Sequence, residues 1–218
     1  ATQWVLSVSF ETLGDLAVQG GDFAAAKARY EAALAIHERL ATQDPLNITS
    51  LRGVASIYDK LGDVAMQAGD LAAARARYEQ GLAVRERLAS QNPDSAAAQS
   101  DLSVSFSKLG DVAMQAGDLA AARARYEQSL AVDERLAQQN PGSAEAQRDL
   151  SVSLENLGDV AEQAGDLTDA IRWYELSLPI AEAISRSNPD NPGLAQDVDI
   201  TKGRLGELRE RYDELADG

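Results

Sequence analysis

Apolar residues recur along the chain with the spacing of helix faces. In residues 95–142 they lie at i, i+4, i+7 and i+11, which predicts an amphipathic helix. Its apolar line is Leu102, Phe106, Leu109 and Ala113. Gly117 and Asp118 then separate this helix from a second one, because Gly accepts a left-handed helix end and Asp caps a helix start. The segment therefore predicts two helices joined by a short turn.

This helix pair is repeated with a fixed period. The pattern Leu-Gly-Asp-x-Ala-x-Gln-x-Gly-Asp begins at Leu13, Leu61, Leu109 and Leu157, each 48 residues after the last. A fixed period indicates one unit stacked repeatedly. We predict four helix pairs over residues 1–190, separated by turns at Asp-Pro or Asn-Pro pairs. Residues 191–218 repeat the first helix alone, which predicts a C-terminal capping helix or, alternatively, a linker helix into another domain.

The conserved spacing within each repeat resembles the tetratricopeptide repeat family. The second repeat carries the signature in Leu61-Gly62, Gly69-Asp70-Leu71, Ala74, Tyr78 and Leu82. The resemblance implies an all-α, right-handed α-solenoid of antiparallel helix pairs. Two features depart from the family: Ala replaces the aromatic residue of the first helix, and each repeat exceeds the usual ~34 residues by about 14. Such widely spaced repeats resemble those beside signalling or protease-like domains in large bacterial proteins.

Each first helix carries a glycine in its middle, where Gly costs roughly 1 kcal/mol relative to Ala. These residues are Gly14, Gly62, Gly110 and Gly158. We expect the glycines to allow close approach of the partner helix through its small residues Ala26, Ala74, Ala122 and Ala170. The tyrosines one turn later, Tyr30, Tyr78, Tyr126 and Tyr174, are predicted to fill the core.

Composition excludes several classes of function. The chain has 218 residues and a net charge of −15, which argues against binding to nucleic acid or to an anionic membrane. It has no cysteine, so it has neither a disulfide framework nor a thiolate metal site. With no signal-like start and no apolar run of about 18 residues, we expect a cytoplasmic location. The chain begins inside a helical pattern, so we expect a fragment of a larger protein.

The sequence offers little for catalysis. His37, the one histidine, is replaced by Arg85, Asp133 and Ala181 in the later repeats, so we expect this position to face solvent. A general base needs a positioned partner, and no nucleophile–base set or phosphate-binding loop is evident. We therefore predict a protein that is not an enzyme, with no catalytic residues, no cofactor and no metal site.

One acidic series is the strongest candidate for a binding surface. The aspartate ladder consists of Asp15, Asp63, Asp111 and Asp159. Each residue lies opposite the apolar line of its helix, on the face that the family resemblance places in a concave groove. The same groove would hold Gln19, Gln67, Gln115, Gln163, Met66 and Met114. Alternatively, Lys60 and Lys108 pair with Asp63 and Asp111, three residues later on the same helix.

Two functions follow from this pattern. The first is a protein–protein interaction scaffold whose acidic concave groove binds a segment of a partner, which we expect to be a basic protein or peptide. The alternative is a structural spacer or self-assembly module within a larger bacterial multidomain protein. The sequence does not determine the oligomeric state. Some related repeats clamp a C-terminal carboxylate with Asn at the ladder position, but Asp there would repel a carboxylate, so we do not expect that activity.

Overall fold

The computed structural model describes residues 2–216, which form nine α-helices and no strand. The first helices of the four repeats are α1 (Thr2–Gln19), α3 (Ile48–Gln67), α5 (Ala96–Gln115) and α7 (Ala144–Gln163). The second helices are α2 (Phe23–Gln43), α4 (Leu71–Gln91), α6 (Leu119–Gln139) and α8 (Leu167–Ser187). The last helix is α9 (Pro192–Ala216). The predicted all-α solenoid is confirmed.

The predicted caps define the helix boundaries. Asn47 begins α3 by accepting a hydrogen bond from the backbone N–H of Ser50, at 3.0 Å. Asp22 begins α2 in the same way, through the N–H of Ala25. The glycine before Asp22 has a φ of +75°, and its equivalents in the other repeats have φ values of +74° to +79°. Glycine accepts this left-handed conformation without steric cost, so it closes each helix pair in a short turn.

The chain forms two compact units, residues 1–116 and 117–218. In the first unit α1 to α5 pack in chain order, and in the second α6 to α9 do the same. Contacts such as Asp15 with Tyr30 and Glu11 with His37 show that successive helices run antiparallel. Each unit is therefore a stack of antiparallel helices in which the first helices lie side by side.

The core of each repeat is formed by the predicted alanines and tyrosines. Tyr30, Tyr78, Tyr126 and Tyr174 are each no more than 3% exposed, which confirms their predicted place in the core. Leu109 is 3% exposed and lies in one cluster with Ala74, Tyr78 and Leu82 of α4. The equivalent Leu13 is 46% exposed, because among the described residues no helix precedes α1 to cover it.

The mid-helix glycines are explained by an aromatic ring. A Cβ placed on Gly62 would lie 2.3 Å from Cε1 of Tyr78, and one on Gly14 would lie 2.4 Å from Cε1 of Tyr30. A Cβ on Gly158 would lie 2.9 Å from Cζ of Tyr174. Such distances are far inside ordinary contact, so the ring occupies the place a side chain would take. The expectation that Ala of the partner helix requires the glycine is therefore wrong for these three positions.

Candidate functional site

Three residues from three helices meet at the first aspartate of the ladder. Oδ1 of Asp15 in α1 accepts a hydrogen bond from the Tyr30 hydroxyl in α2, at 2.6 Å. The same oxygen accepts a second bond from Nζ of Lys60 in α3, at 2.5 Å. Nζ of Lys60 also lies 5.4 Å from the centre of the Tyr30 ring, within range of a cation–π interaction. We call this arrangement the Asp–Tyr–cation triad.

The triad recurs wherever the register supplies a cation. Asp63 accepts bonds from the Tyr78 hydroxyl, at 2.6 Å, and from Lys108, at 2.5 Å. In the second unit Asp159 accepts from Tyr174, at 2.5 Å, and from Arg204 of α9. Lys60, Lys108 and Arg204 occupy the same register position, and Asn156 occupies it in the fourth repeat. The cation of each triad therefore comes from the helix that begins the next repeat.

This geometry corrects the alternative in which each lysine pairs with an aspartate on its own helix. Lys60 pairs with Asp15 of the preceding repeat, whereas the sequence interpretation paired it with Asp63 on its own helix. Lys108 likewise pairs with Asp63. The missed residue is Arg204, which stands in the same register as Lys60 and Lys108 and could have been found from that spacing. The ion pairs link successive repeats.

The triad perturbs both of its acidic groups. Burial would raise the pKa of Asp15, but hydrogen bonds from Lys60 and Tyr30 and the charge of Lys60 outweigh it and lower the pKa. Burial, the hydrogen bond to Asp15 and the charge of that carboxylate raise the pKa of Tyr30 well above its usual value. Asp15 therefore stays ionised and Tyr30 stays protonated across the physiological pH range.

The ladder side chains remain open to solvent despite these bonds. The side chains of Asp15, Asp63 and Asp159 are 46%, 43% and 38% exposed. Their hydrogen bonds within residues 2–216 all use Oδ1. Oδ2 of each of these carboxylates is thus available to a group from outside the chain.

The other predicted groove residues differ in exposure. Gln19, Gln67, Gln115, Gln163 and Asp111 are exposed. Met66 and Met114 are partly buried, and Met66 packs against the cluster around Tyr78 and Leu109. The methionines therefore offer less apolar surface than the helical wheel suggests.

The expectation that the His37 position faces solvent is wrong. His37, Arg85 and Asp133 are 1%, 8% and 2% exposed. Each bonds to a polar group on a facing helix: Nε2 of His37 lies 3.1 Å from Glu11, Arg85 donates to Asp59 and Asp133 accepts from Ser153. Nδ1 of His37 and Oδ1 of Asp133 are buried without a hydrogen-bond partner within residues 2–216. We call this position, with Ala181 in the fourth repeat, the buried polar position.

Metal clusters and membrane-spanning helices are both missing from residues 2–216. Within residues 2–216 no three His, Cys, Asp or Glu side chains are grouped closely enough to hold one metal ion. No helix in this range is both long and apolar enough to cross a bilayer.

Comparison with known proteins identifies the repeat. Three tetratricopeptide repeat family models match residues 11–55, 54–95 and 104–183. No curated protein sequence matches the chain. These models cover all four predicted repeats.

Solved structures share the fold at low sequence identity. The crystal structure of BtubC (BKLC) from P. vanneervenii is similar with a TM-score of 0.65 and 23% identity over 84% of this chain. The chain spans 66% of BtubC, slightly less than two thirds of its length. The apo form of RapI is similar with a TM-score of 0.62 and 10% identity, over 95% of this chain and 72% of RapI. These similarities establish the architecture alone.

Proposed function

Because the chain belongs to the tetratricopeptide repeat family, we propose that it is a protein-interaction scaffold whose acidic first-helix face binds a basic segment of a partner protein. The observation that carries this proposal is the open carboxylate oxygen of the ladder. Asp15 and Asp63 use Oδ1 within the triad, and Oδ2 of each makes no hydrogen bond within residues 2–216. A Lys or Arg side chain can bind that oxygen without breaking the triad.

The spacing of the repeats constrains the partner. Neighbouring first helices pack about 10 Å apart, so successive carboxylates follow one another at that interval. A strand rises about 3.3 Å per residue, so a segment with one basic residue in every three meets successive repeats. The exposed Gln19 and Gln67 beside the ladder can hydrogen-bond to the backbone of such a segment. The chain's net charge of −15 favours association with a basic partner.

Affinity has to come from several weak contacts. An exposed ion pair is worth roughly 0.2–1 kcal/mol, and salt screens it. Loss of two ladder charges should therefore weaken binding about 2- to 30-fold.

The test uses two peptides labelled at the N-terminus with fluorescein, fluorescein-(Lys-Ser-Gly)4-amide and fluorescein-(Glu-Ser-Gly)4-amide, titrated by anisotropy. The double variant Asp15→Asn, Asp63→Asn should bind the basic peptide more weakly, because Asn keeps the acceptor for the Tyr hydroxyl and loses the charge. The double variant Asp94→Asn, Asp190→Asn makes the same charge change at exposed turn positions. It should bind like the unmodified protein. Equal weakening by both pairs, or preference for the acidic peptide, would refute the proposal.

A spacer or self-assembly module is the second candidate, and the triads favour it. The contacts of Lys60, Lys108 and Arg204 with the preceding aspartates stiffen the stack whether or not a partner is present. A spacer predicts no binding of either peptide and no effect of ladder charge on affinity. Self-assembly predicts that the mass measured by light scattering rises with protein concentration.

A further inference from the structure

The buried polar position holds a complete guanidinium site in the second repeat. Arg85 of α4 donates from Nη1 and Nη2 to the two oxygens of Asp59, at 3.0 and 2.5 Å. Nη1 also donates to the Ser105 hydroxyl of α5, at 2.8 Å. The side chains of Arg85 and Asp59 are 9% and 13% exposed, so this bidentate pair is largely removed from water. Three successive helices thus enclose one guanidinium group.

The fourth repeat has the same surroundings without the arginine. Ala181 stands at the register position of Arg85, Glu155 at that of Asp59 and Thr201 at that of Ser105. A cavity of about 180 Å³ lies there between α7, α8 and α9. Its polar lining includes Glu155, Thr201, Ser151, Arg148 and Asp197. A water molecule takes about 30 Å³ in the liquid, so the cavity has room for a group of several heavy atoms.

The outer residues of the two places also correspond. Arg52 and Asp101 form an ion pair, at 3.2 Å, and line the surface hollow beside Arg85. Their register equivalents, Arg148 and Asp197, line the cavity of the fourth repeat. The cavity therefore keeps a carboxylate, a hydroxyl, an arginine and an aspartate at the register positions that surround Arg85, and Ala181 stands where the arginine would be.

The carboxylate in the cavity has no basic partner within the described residues. Burial and the charges of Asp159 and Asp197 raise the pKa of Glu155, and the hydroxyls of Ser177 and Thr201 offset this effect in part. Arg204 also lines the cavity, but it is bonded to Asp159 and to the Tyr174 hydroxyl. An external cation would therefore relieve an unfavourable accumulation of negative charge.

We propose that the cavity beside Ala181 binds a guanidinium group, which takes the place that Arg85 fills in the second repeat. Glu155 binds it as Asp59 binds Arg85, and Thr201 accepts a hydrogen bond as Ser105 does. The group belongs either to a free small molecule or to an arginine side chain of a partner. This site adjoins the ladder at Asp159, because Arg204 and Tyr174 line the cavity and both bond to Asp159. It binds its ligand through other groups, so its existence does not depend on the function proposed above.

Calorimetric titration with n-butylguanidine tests the proposal, with n-butylurea as a neutral probe of the same shape. A ligand of this size in a partly open cavity should bind with a Kd of about 1 mM. The urea should bind at least about tenfold more weakly, because it lacks the charge-assisted bonds to Glu155. Equal affinity for the two probes, or no binding at about 10 mM, would overturn the proposal.

Two variants test the site itself. Ala181→Arg supplies the guanidinium from the chain, so it should abolish binding and raise the Tm. Glu155→Gln should weaken binding at least about tenfold while the cavity stays open. If Ala181→Arg binds n-butylguanidine as the unmodified protein does, the probe lies elsewhere and the assignment is wrong. The aspartate-ladder variant Asp15→Asn, Asp63→Asn should bind the probe unchanged, which separates this result from the peptide experiment.

The second repeat provides a reciprocal test. Arg85→Ala should open an equivalent site lined by Asp59 and Ser105, so that a folded variant binds two probe molecules instead of one. A folded variant with a single site would contradict the equivalence of the two places. If the variant is only partly folded, about 10 mM n-butylguanidine should raise the ratio of folded to unfolded protein about tenfold, and no rise would also contradict it.

The source of the group is decided by a third probe, acetyl-Gly-Arg-Gly-amide. Binding within about threefold of n-butylguanidine indicates that an arginine side chain can enter from a polypeptide. Binding of n-butylguanidine with exclusion of the peptide indicates a free small molecule. Both outcomes support a guanidinium site and assign it to one of the two sources.

Discussion

Lys60 forms an ion pair with Asp15, which lies 45 residues earlier in the sequence, with 2.5 Å between Nζ and Oδ1. The pair joins the first helices of two successive repeats, so it belongs to the interface between repeats. Because the side chain of Asp15 is still 46% exposed, the same carboxylate also belongs to the outer surface. The Asp15 carboxylate thus contributes to the interface between repeats and to the proposed binding surface. Substitutions of Lys60 separate these two roles.

Lys60→Met should slightly destabilise the fold and tighten binding of the basic peptide. The exposed pair contributes about 0.2–1 kcal/mol, and its loss frees Oδ1 of Asp15 for a partner. Urea unfolding and peptide anisotropy measure the two effects. Lys27→Met makes the same charge change on the exposed surface of α2. It should change the stability and the peptide affinity less than Lys60→Met does. If both variants gain the same peptide affinity, the tighter binding of Lys60→Met would be explained by the change in net charge alone.

Gly62→Ala should destabilise the protein by about 1–3 kcal/mol, although Ala is the better helix former by roughly 1 kcal/mol. The new Cβ would lie 2.3 Å from Cε1 of Tyr78, so the ring has to move away from Asp63. Gly206→Ala in α9 places a Cβ with no neighbour within 4 Å and should be neutral or stabilising. Thermal melts compare the Tm of each variant with that of the unmodified protein. A stabilised Gly62→Ala protein would show that the ring is not tightly held.

Two leucines at the same register position should respond differently to truncation. Leu61→Ala removes a side chain that is 3% exposed and should cost about 2–5 kcal/mol. Leu13→Ala removes one that is 46% exposed and should cost less than about 1 kcal/mol. Chemical denaturation compares the two directly. Similar large losses would mean that Leu13 is covered in solution, as it would be by self-association.

Arg85→Met should cost about 3–5 kcal/mol, because it leaves the carboxylate of Asp59 buried without its cation. The double variant Arg85→Met, Asp59→Asn should recover most of this loss, since the remaining side chain is neutral. Urea unfolding of the single and double variants gives the coupling between the two residues. Additive losses would show that the pair is not a unit.

Glu155 should make the fold less stable as the solution becomes more basic. Its folded pKa lies above the ordinary value of 4.5, so the folded protein binds more protons than the unfolded chain between the two values. Stability falls as pH rises through this window, and the penalty is fully present above it. Glu155→Gln should therefore gain stability relative to the unmodified protein at pH 7 and gain less at pH 4. Glu210→Gln makes the same charge change at an exposed position of α9 and is the control.

Local rules predicted the helices because caps and turns act over a few residues. Asn47 and Asp22 begin their helices, and the glycine before Asp22 has the expected positive φ. The core tyrosines were predictable from helical periodicity. The capping role of residues 191–218 and the ladder's part in recognition stay predictions.

Side-chain contacts between helices were harder to predict from the sequence, because a local rule does not show which side chains face one another across an interface. The alternative that paired Lys60 and Lys108 with aspartates on their own helices followed such a local rule. Variation at the buried polar position was interpreted as exposure, although the facing residue varies with it. Glu11 accompanies His37 and Asp59 accompanies Arg85, so an acidic residue 26 positions before a His or an Arg was the available signal.

The imidazole of His37 determines the order in which the repeats can follow one another. A Cβ on Gly53, in the next repeat, would lie 2.3 Å from Nδ1 of His37, and the later repeats have Asp at the Gly53 position. The first repeat therefore cannot precede the third or fourth without displacing that ring. The repeats share one motif, but the buried contact between His37 and Gly53 restricts which repeat can follow the first. In a chain with reordered repeats, the interface that follows the first repeat should therefore not pack as it does here.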